Sequence, residues 1–190
     1  GPHLDAGVHH MAWLRMLCGD VERVSAEIQD ANATLAGPSD LAMTLRFVNG
    51  AAGTYAGAYP ELPMPEEPND LRLYGTEGVL SFRSSEITLY RPDEVTTWSV
   101  DPVDRPWYPG RYRAFHRGYY NEFRNLHEAV TEGAPLVGTL LQSIRTMEIV
   151  LNALTAARTG RSVRMDDTRA PLEATALPLW RPHGTDDLDI

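Results

Sequence analysis

Lysine is absent from this 190-residue sequence, and all 17 basic residues are arginine. Without an ε-amino group the chain cannot carry a Schiff-base lysine or the lysine of a P-loop. A GxGxxG motif opening a βαβ unit is missing too, so the sequence has no fingerprint for dinucleotide binding. These absences exclude lysine-dependent chemistry and Rossmann-type cofactor binding from the 190 residues taken alone.

Cysteine, positive charge and long apolar runs are also scarce. The single cysteine, Cys18, has no disulfide partner and reads as a small apolar residue of the first helix. The net charge of −9 argues against nucleic-acid and membrane partners, because both attract clustered positive charge. No apolar run approaches the ~18 residues of a membrane span, and no signal segment opens the chain. We therefore expect a cytoplasmic protein whose partners are small molecules and proteins.

The first half of the chain predicts one helix followed by strands. With 43% hydrophobic residues, the sequence can supply the core of a globular domain. Apolar residues recur at helical spacing from Val8 to Cys18, and the predicted helix ends at Gly19. Alternating apolar and polar residues then predict strands, and Asn49-Gly50 is typical of a tight hairpin turn between two of them.

The second half predicts further hairpin strands, two long helices and a short final strand. The first of these helices ends at Gly133, and the apolar face of the second is predicted at Ile144, Met147, Leu151 and Leu154. This order of elements predicts an α+β fold, an open, mostly antiparallel β-sheet with helices packed on one face. Small residues and aromatics in the strands favour a protein partner on the open face of the sheet, and we expect a homo-oligomer.

The stretch from Asp5 to His9 is the strongest candidate for chemistry. On a helix these two residues share one face, so the carboxylate could hydrogen-bond one imidazole nitrogen and leave the other for a substrate. A general base is held in its working tautomer in this way. On spacing alone, a structural histidine with a local carboxylate partner is the more common arrangement. A metal site that also uses His3 and His10 is disfavoured, because adjacent helical residues point about 100° apart.

Several motifs occur in the order found in one enzyme family. The opening stretch Pro2-His3-Leu4-Asp5-Ala6-Gly7-Val8-His9-His10, closed by Leu17-Cys18-Gly19-Asp20, resembles the start of the C-terminal domain of the Gfo/Idh/MocA oxidoreductases. That family includes glucose-fructose oxidoreductase and inositol dehydrogenase. Later segments similar to the family are Asp40 to Gly50, Leu71 to Gly78, Phe123 to Pro135 and Ala156 to Arg161. The resemblance spans residues 1–165, and residues 166–190 are expected to form a C-terminal tail.

The resemblance implies a two-domain enzyme of which this chain is one part. The fold implied is that of the C-terminal domain of glyceraldehyde-3-phosphate dehydrogenase. An N-terminal Rossmann domain outside these residues would bind NAD or NADP and carry a catalytic lysine, so the isolated chain is expected to be inactive. Residues 1–165 would bind the substrate, a sugar, cyclitol or related alcohol. By match to the family motif, His9 would exchange a proton with the substrate hydroxyl and Asp5 would orient His9.

Three further residues occupy positions where the family often contacts substrate, namely Tyr59, His116 and Tyr119. On residue type alone, the more common role of such side chains is aromatic packing between helix and sheet. The sequence departs from many members of the family at Ala12, where an aspartate often follows the histidine, and in the extra His10. Neither a metal ligand nor a cofactor-binding residue is assigned. The alternative function is a non-catalytic binding or assembly domain that has lost its cofactor domain.

Overall fold

The structure, a computed structural model, describes residues 1–61, 70–83, 86–99 and 113–168, without the side chains of residues 70, 113–117, 167 and 168. The chain forms two units, one made of Gly1–Glu61 and Ile144–Ile190 and the other of Leu62–Ser143. In chain order the elements are a π-helical turn at His3–Gly7, α1 (Val8–Cys18), β1 (Val21–Gln29), β2 (Asp40–Phe47), β3 (Ala52–Ala58), β4 (Asp70–Tyr74), β5 (Val79–Arg83), β6 (Glu86–Tyr90), β7 (Val95–Ser99), α2 (Arg113–Glu132), α3 (Leu140–Thr159), β8 (Val163–Arg164) and α4 (Met165–Thr168).

The π-helical turn runs without a break into α1. Met11 and Leu14 of α1 are buried, as their helical spacing predicts. The helix ends at Gly19, which has φ 85° and donates its N–H to the Arg15 carbonyl at 2.9 Å. Glycine adopts this positive φ without a Cβ clash, so the predicted end of the helix is confirmed.

The sheet of the first unit has the strand order β3-β2-β1-β8, with antiparallel pairing throughout. The two faces differ because successive side chains of a strand point to opposite sides. One face carries the buried residues of β2, which are Leu41, Met43, Leu45 and Phe47. The other face, here named the outer face, carries the small residues Ser25, Ala42, Thr44, Thr54 and Ala56. These residues and the segment 160–162 line a trough of about 450 Å³.

The buried face of α3 matches the predicted one only in part, since Leu154 is buried as expected. Met147 and Leu151 are 36% and 47% exposed, whereas Ile149 and Val150 are buried. The prediction that Met147 and Leu151 face the core was therefore wrong. Thr146 is buried on the same stripe as Ile149 and Val150, and its hydroxyl accepts a hydrogen bond from an Arg15 N–H at 3.1 Å.

The second unit contains a four-stranded antiparallel meander, β4-β5-β6-β7, and the helix α2. As predicted, α2 ends at Gly133, whose φ is 71°. The predicted α+β class is confirmed, with the described strands in two antiparallel sheets. The predicted tail, 166–190, begins inside α4, and from residue 169 onward it lies outside the described residues. In the described part of the chain, no helix is long and apolar enough to span a membrane.

Candidate active site

Asp5 and His9 lie on consecutive turns at the start of the first unit. Asp5 belongs to the π-helical turn and His9 to the first turn of α1, and both side chains are exposed. Within the described residues no hydrogen bond joins the two, so the expected Asp5–His9 bond is not formed in this structure. A π-helical turn replaces the i→i+4 repeat of an α-helix with i→i+5, which changes how side chains four apart face each other. Catalytic hydrogen bonds are often longer before a substrate binds.

His3 is the buried first residue of the π-helical turn that carries Asp5. It is only 2% exposed, and its Nε2 lies 3.2 Å from the carbonyl oxygen of Ser39. Burial lowers the pKa of His3, against the opposing effects of the Ser39 bond and of Asp40. Because a carbonyl oxygen only accepts, Nε2 carries the proton of the neutral ring. Among the described residues, the other nitrogen of His3, Nδ1, is buried without a hydrogen-bond partner.

Tyr59 follows the end of β3 and packs against His3. The rings of His3 and Tyr59 meet edge to face, with their centroids 5.2 Å apart. The pKa of Tyr59 is raised by burial and by the nearby charge of Asp5. The charge of Asp5 thus acts on the hydroxyl of Tyr59, and the sequence had singled out these two residues separately.

Tyr55 and His10 form a second contact in the first unit. Tyr55 Oη lies 3.5 Å from His10 Nδ1, at the outer limit of a hydrogen bond, and the ring of His10 also contacts Trp13 edge to face. Burial lowers the pKa of His10, and the charge of His9 lowers it further. Burial and the neighbouring Tyr59 raise the pKa of Tyr55 to about 12. His10 therefore stays neutral and Tyr55 protonated near neutral pH.

Gly57 makes room for the side chain of Tyr55. A Cβ on Gly57 would lie 2.9 Å from Tyr55 Cζ, whereas a Cβ on Gly7 would lie 3.6 Å from Tyr55 Oη, an ordinary contact. Gly7 itself sits between Asp5 and His9 in the sequence. Sequence reasoning missed the roles of His3, His10 and Tyr55. The available signal was Gly57 two residues after Tyr55, on the same face of β3, because a glycine there lets the ring lie against the backbone.

A family model described as the oxidoreductase family, C-terminal alpha/beta domain, Gfo/Idh/MocA type, matches residues 1–165. The chain belongs to the Gfo/Idh/MocA oxidoreductase family. The predicted resemblance is confirmed, and the chain is identified as an oxidoreductase C-terminal domain.

One curated relative and two solved structures are similar to this chain in sequence or in fold. A D-apiose dehydrogenase from Paraburkholderia graminis is 23% identical over 173 residues, which are 90% of this chain and 46% of the relative. An oxidoreductase from Agrobacterium radiobacter, solved with NAD+, L-tartaric acid and magnesium, has a TM-score of 0.77 at 19% identity, covering 88% of this chain and 53% of that one. A levoglucosan dehydrogenase, solved with NADH and levoglucosan, has a TM-score of 0.68 at 16% identity over 85% and 49% of the two chains. The present chain spans about half the length of each.

The remaining residues predicted from the Gfo/Idh/MocA resemblance lie on α2, in the second unit. Tyr119 is 48% exposed there. The backbone of His116 is helical, but its side chain lies outside the described residues. Their grouping with Asp5 and His9 therefore stays a prediction. No three His, Cys, Asp or Glu side chains in the described ranges converge in a way that could hold a metal ion.

Proposed function

We propose that residues 1–165 form the substrate-binding domain of a nicotinamide-dependent dehydrogenase that acts on a sugar or a related polyol. The observation that carries the proposal is the exposed His9, which follows the exposed Asp5 by one turn beside the half-buried Tyr59. The names of two relatives, D-apiose dehydrogenase and levoglucosan dehydrogenase, describe sugar oxidation or its reverse and support this substrate class.

His9 acts as the acid/base in this proposal. Its imidazole accepts a proton from the substrate hydroxyl during oxidation and returns it during reduction. Asp5 orients the ring of His9 and stabilises the imidazolium. Tyr59 stays protonated because its pKa is raised, so its hydroxyl is available to donate a hydrogen bond to a substrate oxygen.

The dinucleotide would be NAD or NADP, and its nicotinamide would supply or accept the hydride. This chain does not fit the role of holding the cofactor phosphates, because it has neither the glycine-rich turn nor a lysine. We therefore assign phosphate binding to a Rossmann domain that would precede residues 1–165 in a two-domain enzyme, here called the longer protein. The 190-residue chain alone should bind no dinucleotide and show no dehydrogenase activity.

The experiment that tests the proposal measures sugar-dependent reduction of NAD and NADP by the longer protein. His9→Ala should lower turnover roughly a hundredfold or more, the usual scale for losing a positioned proton-transfer group. Asp5→Asn should lower turnover less and shift its pH profile, because the imidazole stays in place without its carboxylate. The matched control is His127→Ala, which removes an exposed histidine from α2.

The control should keep the turnover of the unmodified protein. If His9→Ala keeps it as well, His9 is a structural histidine and the dehydrogenase assignment of this site is wrong. A domain that still assembles but never turns over any sugar or polyol would instead support the non-catalytic alternative.

We further propose that copies of this chain associate through the outer face of the first sheet. Ala42, Thr44, Thr54 and Ala56 are exposed on it. Their short side chains allow a second backbone to approach closely, and an uncovered face of this kind favours aggregation. Closed two-fold pairing of the two outer faces would cover both copies at once.

A further inference from the structure

The Ser39 carbonyl oxygen accepts two hydrogen bonds from different parts of the chain. One comes from Nε2 of His3, at 3.2 Å, and the other from the backbone N–H of Tyr59, at 3.1 Å. His3 begins the turn that carries Asp5, and Tyr59 follows β3. A single buried atom therefore links the turn of the proposed orienting carboxylate to the residue proposed to contact substrate.

Ser39 is itself rigidly held. It is fully buried, and its hydroxyl oxygen accepts the backbone N–H groups of Ala31, at 2.8 Å, and Asn32, at 3.2 Å. The side chain of Asn32, which is 7% exposed, donates to the Tyr59 carbonyl at 2.8 Å. The backbone of Tyr59 is thus fixed on both sides, and His3 attaches the helical turn to this fixed point.

The chemistry of His3 shows what the imidazole contributes. Its Nδ1 is buried and lacks a partner among the described residues, an arrangement that disfavours a polar ring. An apolar side chain of similar size would pack against Tyr59 without leaving an unpaired nitrogen. The property that an apolar residue cannot supply is the Nε2–H donor to Ser39.

We propose that His3 is a positioning residue of the active site, which fixes the Asp5 carboxylate relative to the Tyr59 hydroxyl. Only one residue, Leu4, separates His3 from Asp5, so a shift of His3 moves the turn that carries the carboxylate. The inference rests on the proposed function, because it assigns His3 a part in the same reaction. It adds a buried residue that does not itself touch the substrate.

The test compares two substitutions of His3 in the longer protein. His3→Leu keeps a similar volume but loses the donor, while His3→Gln places an amide N–H near the position of Nε2. His3→Leu should lower kcat roughly tenfold to a hundredfold, since small displacements of positioned groups have effects of that size. KM for the polyol should change less. His3→Gln should restore most of kcat, which a purely structural role in filling space would not require.

A destabilised variant separates positioning from general loss of stability. Val150→Ala truncates a fully buried residue of α3 and should lower the unfolding temperature while leaving kcat intact. Where His3→Leu does not fold, His3→Phe makes the same comparison, because it keeps the ring beside Tyr59 and lacks the donor.

The outcomes distinguish this inference from the proposed function. Loss of kcat in the apolar variants with recovery in His3→Gln supports the positioning role. Unchanged kcat in the apolar variants, while His9→Ala is inactive, overturns the positioning role alone. Equal kcat in His3→Leu and His3→Gln also overturns it. If His9→Ala is fully active, the proposed function fails whatever the His3 variants do.

Discussion

Replacing Gly57 by alanine should push the ring of Tyr55 out of its place. The added methyl group would lie 2.9 Å from Tyr55 Cζ and 3.2 Å from Cε1, and closer still to the hydroxyl oxygen. Contacts under 3.0 Å are not tolerated, so the ring must move. Its movement is restricted, because the ring contacts His10 and meets His3 edge to face with centroids 6.5 Å apart.

The expected change in the free energy of unfolding is the sum of three effects, of which two destabilise the fold and one stabilises it. Overpacking of this kind costs about 1–3 kcal/mol. Loss of the long Tyr55–His10 hydrogen bond adds about 0.5 kcal/mol, the low end of the usual range. Alanine also restricts the unfolded chain, which offsets about 0.4–1 kcal/mol. Gly57→Ala should therefore lower the free energy of unfolding by about 0.5–3 kcal/mol.

Urea denaturation of the 190-residue chain, followed by circular dichroism, measures this loss. A double-mutant cycle with Tyr55→Ala isolates the clash, because Gly57→Ala should cost close to nothing once the ring is absent. Gly53→Ala is a matched control on the same face of β3, where the new methyl group would meet Phe47 at 3.3 Å, a milder contact. An equal cost of Gly57→Ala with and without the Tyr55 ring would refute the reasoning.

Three further predictions concern pH, the core and assembly. In the folded chain the pKa values of His3 and His10 lie below the ordinary 6.5, so the unfolded chain binds more protons. The free energy of unfolding should therefore fall as pH drops below 6.5. This fall, measured by urea titration, should be smaller in His10→Phe. Ile149→Ala should cost about 2–5 kcal/mol and Met147→Ala under about 0.5, and equal urea midpoints would contradict the assigned face of α3. Ala56→Arg should dissociate the proposed oligomer in light scattering, and an unmodified chain that is monomeric at tens of micromolar would contradict that proposal.

Most local elements of this domain could be predicted from the sequence. Alternation predicted the strands, and Gly19 and Gly133 marked helix ends that the structure confirms. The buried face of α3 was harder, since Met147 and Leu151 form an apolar stripe as regular as the one that is buried. The choice between the two stripes is made by tertiary contacts, including the hydrogen bond from Arg15 to Thr146.

The candidate site likewise has one part that the sequence predicts and another that depends on tertiary contacts. The Asp5–His9 motif is visible in the sequence because only three residues separate the two. The bond from His3 to Ser39 spans 36 residues, and the approach of Tyr59 to Asp5 spans more than 50. No local pattern encodes such contacts, because they depend on how the helical turn meets the ends of β2 and β3.

The division of the first unit into two stretches of sequence has a consequence for its synthesis. Its N-terminal part ends at Glu61, and the part that completes it begins at Ile144. The intervening unit of about 80 residues takes roughly 4–16 s to translate at 5–20 residues per second. During that interval Val24, Leu41 and Met43 have emerged from the ribosome before α3 and β8 exist. The nascent chain should therefore be most vulnerable to aggregation, and most dependent on chaperones, while the second unit is being made.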